Sequence, residues 1–307
     1  MKKKTTRTHI TVTVGIPTLN SQDNIKQLIN SIFKQKGAGY TLEKLIVFSD
    51  GSNDATDAIL KTIKDKRLRL ISATKTRGFA YGVETIIKHT DSEALVLFND
   101  DVLLADNYVV SRLVTPFRDP RVGVVSGKIV PLPPQTFIEK AVYSSFKAYS
   151  KLKMLKREGN NLFTCDGKVL GLSKSFRNNI KLTVPEAGNV DVYIYFLCLA
   201  QNFSYRYVNV DSILFRLPQT ASDLFNQTRR AYISNIFMFK KFGSLARSEF
   251  TLPKSEVSLS LLKELMSNPL GSLALVVINR FIVPLTLKTQ KSFTTWSLAK
   301  STKNIRI

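Results

Sequence analysis

The run Leu95-Val96-Leu97-Phe98 stops abruptly at Asn99-Asp100-Asp101, and this step from apolar to acidic limits the fold more than any other stretch. Four apolar residues are too few for a helix. Lacking polar alternation, they predict a strand buried on both faces, as in a parallel sheet. Acids at the C-terminal end of such a strand fall in the crevice where open α/β sheets bind ligands. Carboxylates are also hard oxygen ligands suited to Mg2+ or Mn2+, which in turn hold diphosphate oxygens. Taken alone, the same residues also fit a strand ending in a solvated acidic turn, so the neighbouring segments decide.

Those segments alternate strand and helix. Ile10–Ile16 is β-branched and strand-like and runs into Pro17-Thr18-Leu19-Asn20. Asn20 or Ser21 is placed to cap a helix over Asp23–Lys34. A second buried strand, Leu45–Phe48, ends at Ser49-Asp50-Gly51-Ser52-Asn53-Asp54 and precedes a helix over Ala55–Lys64. Strand Leu68–Ser72, a loop through Arg77-Gly78 and helix Tyr81–His89 lead to the strand at 95–98. This repetition predicts a parallel sheet with its functional loops at the strands' C-terminal ends. Three of those ends, 17–20, 49–54 and 99–101, are polar and carry acids or glycine.

Composition narrows the class. A hydrophobic fraction of 44% over 307 residues suits a folded chain with ample core rather than a disordered one. Cys165 and Cys198 have neither metal-ligand spacing nor the look of a disulfide framework, and His9 and His89 are too few for a zinc site. The net charge of +22 is uneven: residues 131–307 hold 25 basic and 10 acidic side chains. That half is expected to face something anionic, such as phospholipid, nucleic acid or a phosphorylated substrate. Met1-Lys2-Lys3-Lys4 has the charge of a secretory n-region, but no apolar h-region of adequate length follows, so the expected location is the cytoplasm.

Four blocks then stand in register: Val14-Gly15-Ile16-Pro17-Thr18-Leu19-Asn20, Ser49-Asp50-Gly51-Ser52-Asn53-Asp54-Ala55-Thr56, Arg77-Gly78-Phe79-Ala80 and Asn99-Asp100-Asp101. In order and spacing they resemble the P-T-x-N, D-D-G-S-x-D-x-T, R-G-x-A and D-x-D blocks of the family 2 glycosyltransferases. The resemblance covers the first 130 residues well and the rest more loosely. It implies a GT-A-type α/β fold, a Rossmann-like, mostly parallel sheet flanked by helices, and a nucleotide-diphosphate sugar as donor. Residue by residue it places Asp50 at the nucleobase with Pro17 and Asn20 beside it, Asp100 near the ribose and Asp101 on Mn2+ or Mg2+. Arg77 either contacts phosphate or base or is a surface arginine. Ser49 and Asn99 depart from the pattern, each standing where the family has aspartate; Asn99 keeps an oxygen but loses a charge.

The second half is read the same way. A strand around 122–129 is followed by Pro131–Pro134 and a long amphipathic helix over 137–157, with Lys140, Lys147, Lys151, Lys153, Lys156 and Arg157 on its polar side. That helix serves either the core or a membrane interface. Residues 162–185 resemble the family's acceptor-side strand. Glu186 to Phe196 resembles the E-D-x-x-L block that opens a helix, with Val190 where the first acid belongs and Asp191 at the position of the general base. An inverting transfer needs such a carboxylate to take the acceptor hydroxyl's proton. Asp191 also fits a helix N-cap, and Glu186 is the alternative base. Gln227 to Tyr232 partly resembles Q-x-x-R-W; Arg230 is placed to bind diphosphate, while Ala231 replaces the ring of chain-elongating members.

Residues 270–287 are strongly apolar but contain Arg280 and Pro284, which is short of a spanning helix. Lys288, Lys291, Lys300, Lys303 and Arg306 follow with no acid among them. This pattern predicts either peripheral attachment to an anionic membrane surface or a helical arm on the core. The expected organisation is a catalytic domain over 1–235, divided at 130 into a nucleotide-sugar half and an acceptor half, and a membrane-associating helical extension over 236–307. The expected acceptor is a lipid-linked or envelope glycan. A nucleotidyltransferase is the alternative enzyme, but Pro17-Thr18-Leu19-Asn20 is not a Gly-rich, Lys-bearing triphosphate loop. A basic nucleic-acid-binding protein is the non-enzymatic alternative, and no helix-turn-helix, zinc or RNP-type signature supports it.

Overall fold

The apolar runs become the centre of a single sheet in the computed structural model, which describes residues 9–182, 189–278, 300–303 and 305. Strands β1 (Ile10–Thr18), β2 (Tyr40–Ser49), β3 (Leu68–Ser72) and β4 (Ala94–Phe98) lie parallel in the order β3-β2-β1-β4. All five residues of β4 are buried, as a strand covered on both faces requires. Helices α1 (Ile25–Phe33), α2 (Thr56–Thr62) and α3 (Phe79–Lys88) connect them. α1 buries Ile25, Leu28, Ile29 and Ile32, the i, i+3, i+4, i+7 stripe of a helix laid on a sheet. α3 lies so close to β1 that a Cβ on Gly15 would stand 2.5 Å from Ile86 Cγ2.

The expected side-chain cap at Asn20 or Ser21 is not made. Asn24 is the N-cap of α1 but makes no side-chain capping bond, its amide donating instead to Asp100 O at 2.6 Å, and the Ser21 hydroxyl is turned to the Asp100 carboxylate. Asn20 adopts φ 52°, a left-handed turn that asparagine tolerates.

Beyond β4 the sheet is mixed. The order continues β7-β6-β8-β5, from β5 (Val102–Leu104), β6 (Val122–Pro131), β7 (Val169–Ser173) and β8 (Ser204–Phe215). β7 runs antiparallel to both β4 and β6, β8 runs parallel to β6, and β5 pairs antiparallel on β8. The mostly parallel sheet expected from strand–helix alternation therefore holds for the first half only. The reversal has a local cause: the chain enters β7 at the C-terminal end of β4, with Val169 opposite Phe98 and Ser173 opposite Ala94. The turn before β7 thus meets the acidic end of β4, where the Asn99 N–H donates to Lys168 O at 3.2 Å.

α4 (Val109–Val114) and α5 (Phe137–Leu155) complete the layer around β6. α5 is a core helix, which decides between the two readings of 137–157. It opens with a capping box between Thr136 and Glu139, and the buried Glu139 pairs with buried Arg216, just past the end of β8, at 3.1 Å. Val142, Tyr143 and Phe146 pack on the main core, whereas Phe137, Tyr149 and Leu155 are exposed. The helix stops at Leu155 because Arg157 and Glu158 take positive φ. Lys153 is not on a solvated face: its ammonium stands 5.1 Å from the Phe146 ring, and burial pulls its pKa down.

Helices α6 (Lys174–Arg177), α7 (Val190–Ala200), α8 (Ala221–Phe250), α9 (Lys254–Ser267) and α10 (Pro269–Val277) follow. The division expected at 235/236 falls inside α8. Met238 and Ala246 are buried in the second core cluster, and Glu249 accepts from Tyr195 at 2.6 Å and from Arg157. The change of direction comes later, at Gly243 with φ 52°. α10 forms the first part of the apolar run 270–287; Leu259, Leu262, Leu265, Met266, Leu270 and Leu273 of α9 and α10 are exposed. No described helix is long and apolar enough to cross a membrane. Residues 1–4, Glu186, 279–287, Lys288, Lys291 and Arg306 lie outside the described residues.

Candidate active site

The three polar strand ends meet above β1, β2 and β4. Asp50, at the end of β2, is fully buried, and its two carboxylate oxygens accept the backbone N–H groups of Arg77 at 2.7 Å and Gly78 at 2.8 Å. The acid thus fastens the loop before α3. Gly51 beside it has φ 72°, and a Cβ there would meet the Lys75 carbonyl carbon at 2.8 Å, so the turn needs glycine. Arg77 itself is exposed and its guanidinium lies 4.3 Å from the centre of the Tyr81 ring. Asn20 accepts from the Asn53 N–H at 2.9 Å and ties the first loop to the second. Pro17 lines a small apolar cavity with Phe79, Val83, Asn99, Gly167 and Asp191.

Asp100 and Asp101, adjacent in sequence, are held differently. Asp100 is buried, and one of its oxygens accepts from Thr18 Oγ1 at 2.8 Å, the Leu19 N–H at 3.1 Å and Ser21 Oγ. It is the anchor of the β1–α1 loop. Asp101 has one oxygen bonded to Thr302 Oγ1 at 3.0 Å, while its Oδ1 is buried without a hydrogen-bond partner. Asn99 Oδ1 is in the same condition. Burial, with the neighbouring Asp100 charge, pushes the Asp101 carboxyl above its ordinary range. Two orphaned oxygens in one acidic turn fit a hard divalent cation, whose charge would satisfy both. Among the described residues no group of three or more His, Cys, Asp or Glu side chains converges on one point, so such an ion would draw its remaining ligands from substrate and water.

The turn before β7 supplies the opposite wall. The Gly167 N–H donates to Asp191 Oδ2 at 3.0 Å, and a Cβ on Gly167 would sit 3.2 Å from Asp191 Cγ. Asp191 stands in the first turn of α7, whose N-cap is Asn189; its side chain points to Gly167 rather than capping the helix. Burial, then Asp166, raise the Asp191 pKa. Lys168, 3.5 Å from Asp166, is half-buried; desolvation pulls its pKa down, but Asp166, Asp101 and Asp191 outweigh that and raise it, keeping it charged. Arg230 of α8 also interacts electrostatically with Asp191 and Asp101. The fold therefore gathers Asn99, Asp101, Asp191 and Arg230 at one place, and adds Lys168, which sequence reasoning passed over. Its only sequence signal is its place directly after Cys165-Asp166-Gly167.

A family model described as glycosyl transferase family 2 matches residues 13–179, more than half of the chain. The chain belongs to glycosyl transferase family 2. Among curated proteins it is similar to the O-antigen chain rhamnosyltransferase RfbN of Salmonella typhimurium, 26% identical over 171 residues. That match covers 55% of this chain, and the family 2 chain spans about half the length of that relative. Among solved structures it is similar to the mannosyltransferase PcManGT from Pyrobaculum calidifontis in complex with GDP-Man and Mn2+. There the TM-score is 0.61 at 16% identity, over 92% of this chain and 79% of that one. Glucosyl-3-phosphoglycerate synthase from Mycobacterium tuberculosis, in complex with Mn2+, UDP and phosphoglyceric acid, gives 0.51 at 14% identity, over 75% and 78%. The fold is GT-A-like, as the four sequence blocks implied. Membership of the family sets aside the nucleotidyltransferase and nucleic-acid-binding alternatives.

Proposed function

We propose that this family 2 chain transfers a sugar from a nucleotide-diphosphate donor to a hydroxyl acceptor, by a metal-dependent, inverting displacement. The observation that carries this reading is that Asp191, held on the Gly167 N–H, lines one cavity with Asn99, whose orphaned oxygen stands in the same turn as that of Asp101. Asp101, assisted by Asn99, would hold Mn2+ or Mg2+, which supplies positive charge for the diphosphate leaving group. Asp50, Pro17 and Asn20 would form the nucleobase side, Arg77 would lie along its rim and Asp100 would stand at the ribose. Asp191 takes the proton of the acceptor hydroxyl as that oxygen attacks the anomeric carbon and the bond to the diphosphate breaks. Lys168 and Arg230 would supply positive charge where negative charge accumulates on the leaving group. The O-antigen relative supports a lipid-linked or envelope glycan as acceptor. A thermal-shift panel of UDP-, GDP- and dTDP-sugars, each with and without Mn2+, tests the donor class. One nucleotide should raise the melting temperature only with the ion; equal melting with all of them would count against the reading.

We also infer attachment to the anionic, inner face of a membrane. The exposed leucines of α9 and α10 and the positive surplus of residues 131–307 suit an interfacial contact. The double variant Leu262→Asp/Leu273→Asp should lower binding to phosphatidylserine vesicles about tenfold or more, since each buried leucine contributes roughly 1.5–3 kcal/mol. Added salt should lower it further. Undiminished co-sedimentation of the variant would make α9 and α10 a structural arm.

A further inference from the structure

The acids of the candidate site are not open to solvent on all sides. A short turn from the far end of the chain, residues 300–303 with Ile305, sits against them. Thr302 Oγ1 donates to Asp101 Oδ2 at 3.0 Å. Lys303 Nζ donates to Asp100 Oδ2 at 2.7 Å, to Ser21 Oγ at 2.9 Å and to Leu19 O. The turn is pinned on both flanks. Ser301 bonds through its N–H and hydroxyl to Asp223 at the start of α8 and accepts from the Gln219 N–H at 3.1 Å. Ile305 is buried against Leu103 and Leu132.

An ammonium group has three N–H donors, and these three contacts engage all of them. Lys303 therefore has none to offer an incoming diphosphate while it stays seated. It also adds a fourth donor to an Asp100 oxygen already bonded by Thr18, Leu19 and Ser21. A cation on Asp101 would face the Lys303 charge across two adjacent acids and would compete with the Thr302 hydroxyl for the same carboxylate. Like charges at such a spacing repel strongly in a partly buried site. Lys303 thus does in the free protein what a bound cation would do: it balances the acidic turn.

We propose that this C-terminal turn is a self-occupying strap on the donor site, and that the cation and nucleotide bind by displacing Thr302 and Lys303 from Asp101 and Asp100. The proposal rests on the reading of Asp101 as the cation ligand. It makes the apparent donor affinity the intrinsic one reduced by the fraction of molecules with the strap released. The opposite role, a lysine that strengthens diphosphate binding, predicts the reverse effect of removing it.

Two measurements on the full chain decide it. In the first, binding of MnCl2 alone is followed by the loss of the free-ion paramagnetic signal. The Thr302→Val/Lys303→Met variant should bind Mn2+ about fivefold or more tightly than the natural chain; equal or weaker binding overturns the proposal. Asp101→Ala should remove the site in both backgrounds, and Mn2+ binding indifferent to that change would defeat the metal assignment instead. The second measurement needs no metal. Trypsin cleavage after Lys300 or Lys303 is timed in the natural chain and in Asp100→Asn, against cleavage within α5, away from the loop that Asp100 anchors, as internal standard. Loss of the Asp100 charge should speed the C-terminal cut severalfold with the standard unchanged. Identical C-terminal rates would show that Asp100 does not seat the strap and would end the proposal.

Discussion

Asp101→Ala is expected to abolish sugar transfer, with a loss of at least about 10³-fold, and to remove Mn2+-dependent nucleotide binding. The size follows from the role: charge stabilisation at a leaving diphosphate is worth several kcal/mol, and about 1.4 kcal/mol is one decade in rate. Asp101 is the sharper target of the two adjacent acids because its Oδ1 has no protein partner, whereas Asp100 holds Thr18, Leu19 and Ser21. Asp100→Ala would therefore mix a binding defect with a collapsed β1–α1 loop. Asp101→Ala should not destabilise the metal-free protein. The folded pKa of Asp101 is raised, so its ionised form opposes folding at pH values above that pKa, and removing it leaves the melting temperature unchanged or higher. EDTA on the natural chain should reproduce the variant's loss of nucleotide binding. Nucleotide binding unaltered in both EDTA and the variant would sink the metal assignment.

Asp191→Asn should leave donor binding nearly intact while lowering turnover by roughly 10²- to 10⁴-fold, the range for loss of a general base. The amide keeps the size of the carboxylate and can still accept from the Gly167 N–H, so the wall of the site is preserved. In the proposed reading Asp50, Asp100 and Asp101, not Asp191, would hold the donor, which would confine the loss to the chemical step. A purely structural acid in the first turn of α7 would act differently. Its removal would cost about 0.3–1 kcal/mol through the helix dipole and leave turnover alone. Full activity in Asp191→Asn beside an inactive Glu186→Gln would move the base five residues upstream.

The first half of the fold was legible because its signals are local. β3 was read at its observed bounds, and β1, β4 and the helices between them within a few residues, since buried strands and amphipathic helices carry their period in a short window, whereas only the buried end of β2 was read and its half-exposed start at Tyr40–Lys44 was not. Strand direction is not local. Residues 162–185 resemble the family's acceptor-side strand, but nothing within them says that β7 runs against β4, and that reversal brings Gly167 and Lys168 to the acids. The two readings of 137–157 stayed open for the same reason, because the Glu139–Arg216 pair that binds α5 to the core joins residues 77 apart. Thr302 and Lys303 were farther still: they contact acids 201 and 203 positions away and looked like any basic tail. At the site, the residue types were readable and their states were not. Asp50, Asp100 and Asp101 look equivalent as strand-end acids, yet the first two are consumed by backbone and hydroxyl donors and only Asp101 keeps a buried oxygen unpaired.

The central claim, that Asp191 takes the acceptor's proton, is tested most directly by the pH dependence of single-turnover transfer in the natural chain and in Asp191→Asn. A base works only when ionised, and burial raises the Asp191 pKa, so the rate should fall tenfold per pH unit below a midpoint above the ordinary aspartate value. The variant should be slow, with that acidic limb gone. The same limb and the same plateau rate in both proteins would contradict the assignment.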